Sequence, residues 1–222
     1  MLPRPQHAIQ FDIQNFSGNN FKLKFFPDDI KALASLLWAN AAPDTNFLGG
    51  RCQSKNPNKD ANGRITAEGC FDINPGAWHI ATINQIAKNQ ASFVIDAAYD
   101  YEVWNQPVLS YELSYFQPQT KQNKKSLAEA VIPIQEYSKD KFKSYRSQQA
   151  RFIVGVNMLL SYVVEDNASH NETNSEKNDD IRIVQYIYDL ELNEAGEIIG
   201  GEWYQNVHPD FIWSVDKKNR AS

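Results

Sequence analysis

The sequence predicts an α+β fold, a mostly antiparallel sheet with an N-terminal helix and a long loop that needs a staple. Three observations carry this. Apolar residues recur at helical spacing between Ile30 and Trp38. Runs rich in β-branched and aromatic residues dominate the chain beyond His79. Residues 44–76 are crowded with Gly, Asn, Asp and Pro, a stretch too long for an ordinary connection unless a disulfide or a cation holds it.

Each element follows in chain order. The opening, Phe11 to Phe25, is polar and strand-like. Pro27-Asp28-Asp29 places proline and two acids in a first helical turn, so the helix through Ile30 to Trp38 is expected to end near Pro43. His79 to Ile83 and Ser92 to Ile95 read as the strands of a hairpin about the polar turn Asn84 to Gln90. That pairing puts His79 and Asp96 on neighbouring strands. Val108 to Phe116 is the next strand. Residues 117–151, rich in Lys, Gln and Ser, read as a mobile surface insertion with one helical turn around Leu127 to Val131. Phe152 to Val164, Ile181 to Leu192 and Ile198 to Trp203 complete the sheet. Between the first two lies the polar loop Glu165 to Asp180, expected to be disordered at its tip. Asn193 to Glu197 is a hairpin loop before a Trp-rich tail.

The 222 residues, 42% of them hydrophobic, suffice for a single domain spanning 1–222. A net charge of -5 with no basic stripe argues against nucleic acid as a partner. No apolar run reaches the length of a membrane-spanning helix, the longest being Ile153 to Val164, so no membrane partner is expected. Met1 to His7 lacks the apolar core of a secretory signal, and no signal peptide is visible.

Several residues could carry chemistry. A catalytic histidine needs a carboxylate on its far ring nitrogen, and His79 with Asp96 meets that need on paper. A core histidine beside an unrelated aspartate is the plainer account of the same spacing. Neither Cys52 nor Cys70 opens an obvious helix, where a thiol is activated. Cys52, beside Arg51, is the fallback nucleophile within the chain. The alternatives for the two cysteines are a disulfide in an oxidising compartment and a reduced pair. Asn58, Asp60 and Asn62 repeat oxygen side chains at every second position, followed by Gly63 and Ile65, which is the opening half of a calcium loop. Glu68 falls at its eleventh position, not the twelfth, and a metal-free Asn-Gly turn explains the same residues. Two aromatic stretches, Val103 to Val108 and Gly201 to Trp213, could line a cleft or bury their rings against the sheet. Trp78, Trp104, Asn105 and Gln106 are the cleft candidates, and His208 reads as structural.

Taken together, these segments resemble the transglutaminase elicitor family, known from oomycete cell-wall transglutaminases and bacterial relatives. The resemblance rests on Cys70 to His79 (Cys-Phe-Asp-Ile-Asn-Pro-Gly-Ala-Trp-His), Phe93-Val94-Ile95-Asp96, and Val103-Trp104-Asn105-Gln106-Pro107-Val108. Gly200-Gly201-Glu202-Trp203 and His208-Pro209-Asp210-Phe211 complete it. It implies a papain-like, transglutaminase-type fold and calcium-dependent acyl transfer from a peptide glutamine to an amine. His79 would be the base and Asp96 its orienting partner. The partners implied are proteins bearing glutamine and lysine. Localisation would be extracellular, by secretion or delivery as an effector.

Two departures accompany the resemblance. The basic residues expected after Pro107-Val108, in a segment that plant immunity detects in oomycete members, are replaced by Leu109-Ser110. The family's nucleophile stands in a Cys-His-Gly-Trp element that opens a helix, and nothing here matches it. The expectation is a domain lacking its catalytic-Cys helix, inactive alone, with the thiol supplied by another segment or a second chain. The alternatives are a calcium-binding, non-catalytic interaction module and a papain-like cysteine peptidase.

Overall fold

The computed structural model describes residues 7–41, 44–52, 54–97, 104–164 and 180–215. The expected disordered loop tip, the chain start and Val103 lie outside these residues. Where one domain is expected, the chain divides into two compact units, one holding residues 45–163 and 181–215 and the other the remainder.

The smaller unit contains the hairpin β1 (Ile9–Gln14) and β2 (Asn20–Phe25) and the helix α1 (Pro27–Ala41). The register pairs Ile9 with Phe25, Phe11 with Leu23 and Ile13 with Phe21, so one face of the ribbon is wholly apolar. Helix α1 starts where the sequence places it. The Asp29 carboxylate reaches back to accept the Phe26 N–H at 2.9 Å, one half of a capping box.

The larger unit is built on an antiparallel sheet. Its strands are β3 (Thr45–Gly49), β4 (Val94–Ile95), β5 (Gln106–Phe116), β8 (Phe152–Val163), β9 (Ile181–Leu192), β10 (Ile198–Trp203) and β11 (Phe211–Val215). They lie in the order β10-β9-β8-β5-β4-β11-β3. The short strands β6 (Asn123–Lys124) and β7 (Ile132–Pro133) pair with β5 and β8. Helix α2 (Pro75–Ile83) and the single turn α3 (Leu127–Ala130) complete the unit. The fold is α+β, as expected.

Strand alternation fills the core. Val154, Val156, Met158 and Leu160 of β8 and Tyr186, Tyr188 and Leu190 of β9 are fully buried at every second position. Trp78 of α2 sits among them at 0% exposure, with Phe93 and Tyr186 edge-on at 6.0 and 5.5 Å. Each such ring contributes about 2–3 kcal/mol by burial.

Helix α2 corrects the sequence reading, which made His79 to Ile83 a strand and Asn84 to Gln90 a hairpin turn. Asn74 caps the helix, its side chain accepting the Gly76 N–H at 2.9 Å, and Pro75 occupies the first turn. Buried Pro75, Trp78, His79 and Thr82 follow an i, i+3, i+4, i+7 spacing, and Asn84–Lys88 prolongs the helix as a π turn. The β-branched Ile and Thr residues yield to the cap and the buried stripe. Gly76 permits the close approach: a Cβ there would lie 2.8 Å from the Gly200 carbonyl oxygen.

The segment 117–151 is also more ordered than a mobile surface excursion. Its Ala130, Ile132, Tyr137 and Ala150 are buried. Arg146, 3% exposed at its side chain, forks onto Asp189 at 2.6 and 2.7 Å and onto Asp140 at 2.9 and 3.0 Å, with Glu191 at 3.3 Å. That knot fastens the segment to β9.

Candidate functional site

A cleft of about 820 Å³ opens in the larger unit. One wall comes from residues 59–65 and 70–75, a second from residues 141–145, and a third from the end of β10 through His208. The disulfide Cys52–Cys70 and the capped start of α2 hold the first wall. The Arg146 knot holds the second.

Arg64 spans the cleft. Its guanidinium lies 4.2 Å over the Tyr145 ring and donates to Glu202 at 3.1 and 3.2 Å. Burial raises the Glu202 pKa while the Arg64 charge opposes that shift.

On the third wall, His208 stacks on Trp203, centroids 5.2 Å apart and planes 13° from parallel. Its Nε2 lies 3.8 Å from Asp72 Oδ2. Asp210 joins them, and one donor atom from each of the three lies within 4.8 Å of the others. Desolvation pushes Asp72 up to about 6 and His208 down to about 4, so the imidazole is neutral at physiological pH. His208 therefore belongs to a polar cluster facing a cleft rather than to a plain core position. The Asp72–His208–Asp210 grouping escaped the sequence reading because Asp72, two residues after Cys70, is 136 positions before His208, and nothing local announces that they meet.

His79 lies elsewhere. It is 3% exposed on the inner face of α2, and its Nδ1 meets the Tyr188 hydroxyl at 2.7 Å. Desolvation lowers its pKa to about 4. Asp96, fully buried just beyond β4, accepts the Trp104 N–H on Oδ2 at 3.2 Å. No described hydrogen bond or ion pair joins His79 to Asp96, and the two are not on neighbouring strands.

The other expected residues are placed as follows. Cys52 is bonded to Cys70 and neither cysteine is free, so Cys52 is not a nucleophile in this state. Trp78 is core rather than cleft lining. Trp104 is 44% exposed. Asn105 accepts the Trp213 indole N–H at 3.0 Å, and Gln106 accepts the Ala97 N–H at 2.8 Å, so both amides brace the region where β4, β5 and β11 meet. None of these four lines the cleft.

The expected calcium loop closes on itself. Asp60 Oδ1 accepts the N–H groups of Asn62 and Arg64 at 2.8 and 2.9 Å, and Oδ2 accepts the Tyr145 hydroxyl at 2.9 Å. The Arg64 backbone bond is the main cause of the lowered Asp60 pKa. Backbone bonds between Asn58 and Thr66 and between Asp60 and Arg64 complete a hairpin-like turn. Glu68 begins a short 3₁₀ turn, and its side chain lies outside the described residues. The described part of this loop thus offers one carboxylate, Asp60, held by backbone and tyrosine donors beside the Arg64 guanidinium.

Comparison with known proteins gives these features a context. The GP42 transglutaminase from Phytophthora sojae, a solved structure, is similar to this chain at 27% sequence identity with a TM-score of 0.60. The match covers 96% of this chain and 51% of that one, so the chain spans about half the length of the solved protein. A search of curated proteins finds no match. The family model described as transglutaminase elicitor matches residues 15–222. The chain belongs to the transglutaminase elicitor family.

Proposed function

We propose that this chain is the histidine-bearing part of a protein-glutamine γ-glutamyltransferase. The observation that carries this reading is the likeness of nearly the whole chain to a solved transglutaminase. In this reading the thiol comes from another segment or a second chain, since both cysteines here are bonded to each other.

The chemistry is a double displacement. The neutral His79 imidazole takes the proton of the thiol, the thiolate attacks the glutamine carboxamide carbon, and the imidazolium so formed protonates the departing ammonia, leaving a thioester. A lysine amine then attacks the thioester, His79 takes its proton, and the isopeptide forms as the thiolate is released. Water in place of the amine gives glutamate, which is deamidation. The Tyr188 hydroxyl holds Nδ1, which leaves Nε2 to face the thiol, and the resemblance assigns Asp96 as the orienting carboxylate in place of that hydroxyl. The disulfide suits an oxidising compartment, and we extend the reading to an enzyme that acts outside the cell.

The test adds a Cys-bearing segment of a family member to this chain and follows incorporation of a labelled amine into a glutamine peptide. We expect no incorporation by the chain alone, activity on mixing, and loss with His79→Asn. Retention in His79→Asn overturns the assignment. Mass spectrometry of the peptide separates amine addition from the cleaved products of a peptidase.

A further inference from the structure

We propose that Asp72, His208 and Asp210 form a binding site for a divalent cation of the zinc type on the wall of the cleft. The donor set is one imidazole and two carboxylates, a mixture that suits a borderline ion such as zinc or cobalt better than calcium, which takes six or more oxygens. The geometry is close to that of an occupied site. Zinc about 2.0–2.2 Å from its nitrogen and oxygen ligands places tetrahedral donors about 3.4 Å apart. His208 Nε2 and Asp72 Oδ2 are at 3.8 Å, and all three donors lie within 4.8 Å. Asp72, with its side chain 22% exposed, is the least confined of the three ligands.

The ligands are held by their neighbours. The Trp203 ring that stacks on His208 donates its indole N–H to the Ile73 carbonyl at 2.9 Å. The Ile73 N–H donates to the Asp210 carbonyl at 2.9 Å. Ile73 follows Asp72 directly, so one backbone residue ties all three ligand positions together. His208 and Asp210 are 7% and 4% exposed, while Asp72 and His208 face the cleft. Three protein ligands with a fourth position toward a cleft is the arrangement of a site open to water or substrate.

The inference does not draw on the acyl-transfer reading, and its test uses the chain alone. Cobalt(II) chloride is titrated into the folded chain and followed by visible absorption, with zinc chloride as competitor. We expect one equivalent of cobalt to develop ligand-field bands that zinc abolishes, and His208→Ala or Asp210→Asn to weaken binding at least about tenfold. Asp72→Asn, at the partly exposed ligand, keeps the test valid if a buried variant does not fold, and is expected to weaken binding likewise. Asp60→Asn, in the neighbouring loop, is expected to leave binding unchanged. Excess calcium is expected to leave the bands in place. Absence of bands, binding that survives both His208→Ala and Asp72→Asn, or displacement by calcium overturns the proposal.

Discussion

Two groups of buried carboxylates lie in the larger unit, and they are built to opposite ends. Around Arg146, Asp140, Asp189 and Glu191 surround a guanidinium that the chain itself provides. Burial alone would lower the Arg146 pKa, but the bonds to Asp189 and Asp140 prevail and raise it. That charge is permanent. On the cleft wall, Asp72 and Asp210 meet an imidazole that burial keeps neutral. The first group holds residues 117–151 to the sheet, and the second presents Asp72 and His208 to a cleft. The difference teaches that burial of acids is not one signal: what matters is whether they pack around a fixed cation or stand beside a neutral donor.

The comparison breaks most visibly at Arg146. Replacement by Met leaves three acids in a largely dry setting, and we expect a loss of about 3–5 kcal/mol in chemical denaturation. A loss under about 1 kcal/mol would mean that the knot is as dispensable as a surface ion pair.

The opposite wall depends on a covalent tie instead. Cys52→Ser opens a loop whose ends are 18 residues apart, and the expected cost is about 3 kcal/mol by the same measurement. Proteolysis should then cut first within residues 53–69.

A smaller effect separates neutral from charged burial by pH. The His79 pKa falls from 6.5 in the unfolded chain to about 4 in the folded one. Its neutral form is therefore favoured by folding, and stability present above pH 6.5 declines as pH falls toward about 4. Asp72, raised to about 6, acts in the opposite sense as it takes up its proton, and His208 acts in the same sense as His79. Both remain in His79→Gln, so the difference between the two denaturation profiles isolates His79. That difference should grow between pH 6.5 and 4, and parallel profiles would refute the assignment.

The smallest expected change in stability is at Asp72. Asp72→Asn should shift it by less than about 1 kcal/mol, since the side chain is partly exposed, while binding of cobalt weakens. Arg146→Met should do the reverse to the extent that it still folds.

How much of this was legible in the sequence depends on the range of the forces involved. β8, β9 and β10 were read almost to their ends, because β-branched and aromatic runs and the Asn193 to Glu197 turn are local signals. α1 was legible through Pro27 and the acids after it. α2 was not, because His79-Ile80-Ala81-Thr82-Ile83 looks strand-like, although Asn74-Pro75 is a sound helix start. β11 went unread as a strand since its partners, β3 and β4, come from far up the chain. Within the site, the cysteine pairing remained open until the structure joined Cys52 to Cys70. The Arg146 partners on β9 lie 43 and 45 residues away, and no periodicity announces a contact of that kind.

The placement of α2 also bears on the order in which the molecule assembles. Asn74 reaches Gly201 across a separation of 127 residues, whereas β8, β9 and β10 each follow the strand they pair with. Loop-closure entropy favours the local meander, and long-range docking must wait for it. On a ribosome the Trp78 helix emerges well before the sheet that will bury it, while Cys52 and Cys70 are already close enough in sequence to pair. The oxidative step can thus precede the hydrophobic one, and the cleft, which needs both walls, is completed only as the last strands leave the exit tunnel.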